Sequence, residues 1–178
     1  MARVLVVYGS TEGQTAKIAQ HIGDAGRRLG HEVDVQAAGE GSDAEAGGYD
    51  GIIVGASLHE GRYQRSVCSF LERHGAALAS LPTAFFSVSL AAASHDRNER
   101  AEVERIMAEF CARARWTPTL TASFAGALKF TRYSWLKRTL MKHIAEKEGG
   151  DVDTSRDFEY TDFDQVTAFA ERFFKALA

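Results

Sequence analysis

The chain has 178 residues, room for one domain at roughly 150 residues each. Its hydrophobic content of 45% is too high for disorder, while 2 prolines and 16 glycines exclude collagen-like or proline-rich chains. Lys and Arg (21) nearly balance Asp and Glu (24), which excludes a dedicated nucleic-acid binder. No apolar run approaches the ~20 residues a spanning helix needs. The chain meets an apolar run by residue 4 with no signal-peptide pattern before it. Cys68 and Cys111 fall in helix-like stretches and belong to no C-x-x-C or Cys/His metal pattern. The expectation is a cytoplasmic protein with reduced, buried thiols, no metal and one domain.

Residues 3–8 (RVLVVY) form a continuous apolar run, the mark of a strand buried on both faces. Helical spacing follows over residues 13–29, with Ile18, Ile22, Ala25 and Leu29 on one face and Gly30 as a stop. Residues 32–36 (EVDVQ) alternate as a short strand, and residues 37–48 read as a loop rich in glycine and acids. A second buried strand covers residues 49–56, and a helix is predicted over residues 65–78. Pro82 opens a strand at residues 83–88, and residues 98–114 form an amphipathic helix burying Val103, Ile106, Met107, Phe110 and Cys111. A fifth apolar stretch lies at residues 119–124.

Five strands alternating with helices predict an α/β fold, an open parallel sheet covered on both faces. Right-handed crossovers leave few topologies, and the common five-stranded one is the flavodoxin-like, doubly wound order 2-1-3-4-5. After strand 5 the alternation breaks over residues 125–160. That interruption holds an amphipathic basic helical segment at residues 133–147 and a polar stretch at residues 149–156. The closing helix starts at a Thr161-Asp162 cap and buries Val166, Phe169, Phe173 and Leu177. The chain thus reads as one domain, residues 1–178, with an insertion at about residues 125–160.

In such a sheet a ligand lies beyond the carboxyl ends of the strands, where the strand order reverses. The first loop there is Gly9-Ser10-Thr11-Glu12-Gly13-Gln14-Thr15. Unpaired amides at the start of the following helix can hold a phosphate, with hydroxyl donors from Ser10, Thr11 and Thr15. The Walker Gly-Lys-Ser/Thr and the dinucleotide G-x-G-x-x-G patterns are both absent. Thr-x-Gly-x-Thr resembles the phosphate loop of flavodoxins, suited to a monophosphate such as that of FMN. The plain alternative is a Ser/Thr cap on an ordinary turn.

The second loop, residues 56–63, offers backbone donors for a flavin edge from Ser57, Leu58, His59 and Gly61. Tyr63 has two readings: a ring stacked on the flavin, or a partly buried residue opening the next helix. The third loop, residues 89–96, is built from Ser89, Leu90, Ala91, Ala92 and further small residues. It lacks a ring-covering aromatic and leaves the flavin open to a bulky substrate. His59 and His95 are read as solvated loop residues, so no side chain is assigned as an acid or base.

These pieces, with residues 84–90 (AFFSVSL), 125–130 (AGALKF), Arg132-Tyr133, 149–154 (GGDVDT) and 160–163 (YTDF), resemble the flavodoxin-like, quinone-dependent protoporphyrinogen IX dehydrogenases of bacterial haem synthesis. The resemblance implies non-covalent FMN and oxidation of protoporphyrinogen IX to protoporphyrin IX in two-electron rounds. Electrons then pass to a membrane quinone, menaquinone or ubiquinone, at the cytoplasmic face of the inner membrane. It adds Gly126 to the cofactor set. Ser89 stands where Asn is expected and Phe130-Thr131 where Tyr-Pro is usual, which bears on substrate preference.

The insertion carries six cations and two anions between residues 125 and 148, a local charge of +4 in a chain of −3. Lys129, Arg132, Tyr133, Trp135, Lys137 and Arg138 are the candidates for contact with an anionic membrane surface or with porphyrinogen propionates. The alternative is a helix packed on the domain with an ordinary solvated face. Two other functions share the scaffold: a flavodoxin-type electron carrier and an NAD(P)H:quinone reductase.

Overall fold

Residues 4–7 are wholly buried, as in a strand covered on both faces. A computed structural model describes residues 1–39, 46–128, 155 and 157–177. In it β1 (Arg3–Gly9), β2 (Glu32–Ala37), β3 (Gly51–Ser57), β4 (Thr83–Ser89) and β5 (Leu120–Ala125) form one sheet in the order β2-β1-β3-β4-β5. Every neighbouring pair in it is parallel. The expected doubly wound topology is the one found.

Side chains along each strand alternate between two cores. Leu5, Val7, Ile52, Val54 and Phe85 face one side, where Val67, Phe70 and Leu71 of α2 (Arg65–Arg73) and Val103, Met107 and Phe110 of α4 (Arg97–Arg113) cover them. Val4, Val6, Ile53, Phe86 and Phe124 face the other. There α1 (Gln14–Arg28) contributes Ile18 and Ile22, and α5 (Phe163–Lys175) contributes Val166, Phe169 and Phe173. Burying each such side chain contributes about 1.5–3 kcal/mol, so the two faces together hold the fold. Phe85 and Phe86 are adjacent in sequence yet serve opposite cores, a direct consequence of the two-residue strand period.

The predicted helix over residues 65–78 is two helices, α2 and α3 (Gly75–Ser80). His74 lies at φ −112° and ψ 18°, off the helical basin, and the chain re-enters helix at the flexible Gly75. Cys111 is buried as expected, but Cys68 is only half-buried, and both thiols are free. Helix α1 ends in a Schellman motif: Gly30 N–H donates to Arg27 C=O at 3.0 Å and His31 N–H to Gly26 C=O at 3.1 Å. Asp162 caps α5, accepting from the amides of Asp164 (3.0 Å) and Gln165 (3.2 Å).

The insertion is bracketed by a two-stranded antiparallel ribbon of β6 (Ala127–Leu128) and β7 (Phe158–Glu159). Leu128 packs there with Leu90, Phe158 and Tyr160, which ties the ribbon to the loop after β4. The basic segment predicted at residues 133–147 lies outside the described residues, as do Lys129, Arg132, Tyr133, Trp135, Lys137 and Arg138. No helix among the described residues is long and apolar enough to cross a membrane.

The contact between α1 and α5 gives a test. A Cβ on Gly26 would meet the Phe174 ring at 2.2 Å. Glycine to alanine inside a helix ordinarily stabilises by up to about 1 kcal/mol. Overpacking a full core costs about 1–3 kcal/mol, so the steric effect prevails here. Gly26→Ala should therefore lower the urea midpoint rather than raise it.

Candidate functional site

Strands β1 and β3 end side by side, Gly9 opposite Ala56, so the loops after them share one crevice. The first loop turns into α1 through Gly13, whose φ of +93° is left-handed and favours glycine. Gly13 is the N-cap of α1 and supplies no side-chain cap. Lys17 N–H is the first amide to find a helical acceptor, the Gly13 carbonyl at 3.1 Å. The amides of Gln14, Thr15 and Ala16 therefore have no acceptor within the helix, and their dipoles point out of its first turn.

Hydroxyl groups surround this helix start. Ser10 Oγ accepts the Gly13 N–H at 2.9 Å, which leaves its own hydrogen to donate. Thr15 is 1% exposed, and its Oγ1 has no hydrogen-bond partner among the described residues. A buried hydroxyl without a partner costs about 1–3 kcal/mol unless a ligand supplies one. A left-handed glycine, open amides and an orphan hydroxyl together fit an anionic oxygen group such as a phosphate. Glu12 sits half-buried in the same loop.

Gln14 divides its roles. Its amide belongs to the helix start, but its side chain turns away from the loop. Gln14 Nε2 donates to Glu159 Oε1 at 2.5 Å and to Thr161 Oγ1 at 2.8 Å. Thr161 in turn donates to the Ala125 carbonyl at 2.6 Å, and Lys17 pairs with Glu159 at 2.7 Å. Glu159 and Thr161 were not among the predicted site residues, because their closeness to Gln14 spans about 145 residues of chain and leaves no local pattern.

The loop after β3 is tighter than a donor-rich loop. His59 N–H donates to Arg62 C=O at 3.0 Å and Arg62 N–H to His59 C=O at 2.9 Å, closing a two-residue turn. Glu60 (φ +49°) and Gly61 (φ +73°) form its tip. Leu58 donates to the Val88 carbonyl at 2.8 Å and packs against the core. The amides of Leu58 and His59 are thereby committed within the protein, and the expected donors reduce to the turn tip and Ser57. Ser57 is buried, and its Oγ accepts from Gln64 Nε2, which also donates to Thr11 Oγ1 at 3.1 Å. Gln64 was missed as well, although an N-cap position held by Gln instead of Ser, Thr, Asp or Asn is a sequence anomaly.

Tyr63 is a core residue, not a stacking platform. Its ring is 9% exposed, with centroids 4.6 Å from Phe110 and 5.4 Å from Phe85, and its hydroxyl donates to Ser87 Oγ at 2.9 Å. Aromatic burial outweighs exposure here because the hydroxyl also finds a buried partner. In the third loop Ser89 Oγ accepts the Ala92 N–H at 3.2 Å, and Ala91–Ala93 make one 3-10 turn. Leu90, Ala91 and Ala92 are half-buried and present no aromatic face. A cavity of about 370 Å³ lies beside this turn, lined by Ala92, His95, Ser123, Tyr160 and Gln165 among others. Gly126 is not a ligand donor: its N–H goes to Ser89 C=O at 2.9 Å, and its own carbonyl accepts from Tyr160 at 3.1 Å.

The Flavodoxin domain family model matches residues 5–155. The protoporphyrinogen IX dehydrogenase (quinone) of Escherichia coli is 32% identical over 168 residues, covering 94% of this chain and 92% of that one. The protein of the same name from Leishmania major is 31% identical over 175 residues, covering 96% and 74%. Among solved structures, oxidised Flavodoxin 1 from Bacillus cereus superposes with a TM-score of 0.57 at 18% identity, covering 99% of both chains, a likeness of fold.

The buried phenol gives a test of its own. An unfolded tyrosine ionises near pH ~10, whereas burial pushes Tyr63 up to about 12. The folded state holds this proton more tightly, so the stability it contributes is complete below pH ~10 and is lost as pH rises through the folded value. Tyr63→Phe should flatten that alkaline loss in urea titrations, at a cost of about 1 kcal/mol near neutrality.

Proposed function

The chain belongs to the Flavodoxin domain family, and on that premise we propose that it is an FMN-dependent protoporphyrinogen IX dehydrogenase that delivers electrons to a quinone. The observation that carries this reading is the likeness to enzymes of that printed name across 94–96% of this chain. The likeness therefore includes the insertion and not only the common sheet. The chain is one flavodoxin-like domain interrupted over about residues 125–160.

FMN supplies the two-electron chemistry by which porphyrinogen hydrogens are removed and passed on. The protein's part is positional. The amides of Gln14, Thr15 and Ala16 and the hydroxyls of Ser10, Thr11, Thr15 and Ser57 hold the phosphate without a lysine or arginine. The small-residue turn at Ala91–Ala93 keeps one side of the crevice accessible to a bulky tetrapyrrole. The basic residues Lys129, Arg132, Lys137 and Arg138, with Tyr133 and Trp135, attract propionates or an anionic inner-membrane surface, at which the quinone is met. On this reading the protein works in the cytoplasm, peripheral on the membrane.

Purified protein should carry FMN, and FMN-loaded protein with protoporphyrinogen and a quinone should produce porphyrin fluorescence faster than autoxidation. A yellow protein with no acceleration for any quinone, and a long-lived one-electron state on reductive titration, would instead make it an electron carrier. Thr15→Val removes the orphan hydroxyl and should weaken FMN binding about tenfold, read by flavin fluorescence quenching. The apo fold should be at least as stable as before, since the change removes a buried hydroxyl that has no partner among the described residues.

A further inference from the structure

Gln64 occupies the N-cap of α2 and does not cap it. It makes no side-chain bond to the first turn of its own helix. A Ser or Asp there would contribute about 1 kcal/mol to α2. The side chain instead reaches back across the crevice to the ends of two strands. Its Nε2 donates to Thr11 Oγ1 of the first loop at 3.1 Å and to Ser57 Oγ, the last residue of β3. The backbone makes room for this reach: a Cβ on Gly9 would lie 2.9 Å from Gln64 Oε1. Oε1 is itself buried and without a partner among the described residues.

A hydroxyl whose oxygen already accepts one hydrogen bond keeps its own hydrogen to donate elsewhere. Two N–H groups on one amide therefore do the same thing to Thr11 and Ser57 at once. We infer that Gln64 is a positioning residue for the phosphate: it fills an acceptor site on each of these two hydroxyls and so turns both O–H groups into donors toward a bound phosphate. Ser10 is prepared identically by the Gly13 amide. Three hydroxyls with their hydrogens thus left free surround a helix start that carries no cationic side chain in its first turn but Lys17, itself paired with Glu159. Hydrogen bonds to an anion are about twice as strong as neutral pairs, so each hydroxyl held ready to donate counts toward phosphate binding. The inference rests on the FMN reading above and adds a residue that lies in neither the phosphate loop's sequence nor its helix.

The test compares FMN with riboflavin, which lacks the phosphate, on the same apo preparations of wild type, Gln64→Met and Gln64→Glu. Binding is read by flavin fluorescence quenching, and the melting of each apo protein is recorded alongside. Gln64→Met keeps the length and removes the donors. It should weaken FMN about tenfold while changing riboflavin affinity less than about threefold. Gln64→Glu replaces the donors with an anion and should weaken FMN further, again with riboflavin little changed. The FMN-to-riboflavin ratio makes the result independent of a partial loss of folded protein. An unchanged ratio, whether both affinities fall together or neither moves, overturns the inference, because a packing residue would act on both ligands alike. A variant that binds FMN more tightly also overturns it, since Gln64 would then compete with the phosphate. Wild-type protein that binds neither flavin overturns the FMN reading itself and this inference with it.

Discussion

Helix α1 begins without a cap, and the amides of its first turn are left pointing at the crevice between β1 and β3. A helix start left open in this way is unfavourable by itself, since each buried amide without an acceptor costs about 1–3 kcal/mol. The fold tolerates it because everything behind the turn is rigid. β1 sits between β2 and β3 with residues 4–7 wholly buried, so the loop leaves from an immobile strand. Ile18 and Ile22 press α1 onto that sheet, and the Gly26–Phe174 contact locks it against α5. Open donors on a fixed frame are preorganised for an anion, and little further ordering is needed when one binds.

The frame is closed from the far end of the chain. After the insertion, β7 returns beside β6, and Glu159 and Thr161 grip Gln14 and Lys17 in the first turn of α1. Thr161 also ties that turn to the end of β5 through the Ala125 carbonyl. The described flank that follows the insertion is therefore joined to the first turn of α1. Both ends of the insertion are held, at Leu128 by its small apolar cluster with Leu90, Phe158 and Tyr160, and at Glu159 by polar contacts.

The same residues show how core and site trade side chains. Tyr63 and Gln64 are neighbours at the start of α2. Of the two readings open for Tyr63, the buried one holds. Tyr63 turns inward because its ring meets Phe85 and Phe110 and its hydroxyl meets Ser87. Gln64 then faces the crevice, where Thr11 and Ser57 wait with acceptor oxygens. Neither outcome follows from residue type, since both depend on what the other strands bring to that point.

What the sequence determined by itself is the part governed by local periods. Continuous apolar runs marked the inner strands, helical spacing marked α1, α4 and α5, and Gly30 and Asp162 marked helix ends, because backbone geometry imposes those patterns within a few residues. The parallel sheet followed from the alternation of strands and helices, with handedness narrowing its order to a few topologies, and the left-handed turn into α1 falls at Gly13 directly after β1. The break at His74, the inward turn of Tyr63, the sealed hairpin at His59–Arg62 and the commitment of Gly126 to Ser89 and Tyr160 were decided only in the folded chain. So were the contacts of Gln14 with Glu159 and Thr161, and of Gln64 with Thr11 and Ser57. Each is a choice of partner between segments 7 to 147 residues apart or between equally allowed local conformations. A polar side chain chooses its partner by which buried group would otherwise go unsatisfied, and that is known only once the strands and loops stand next to each other.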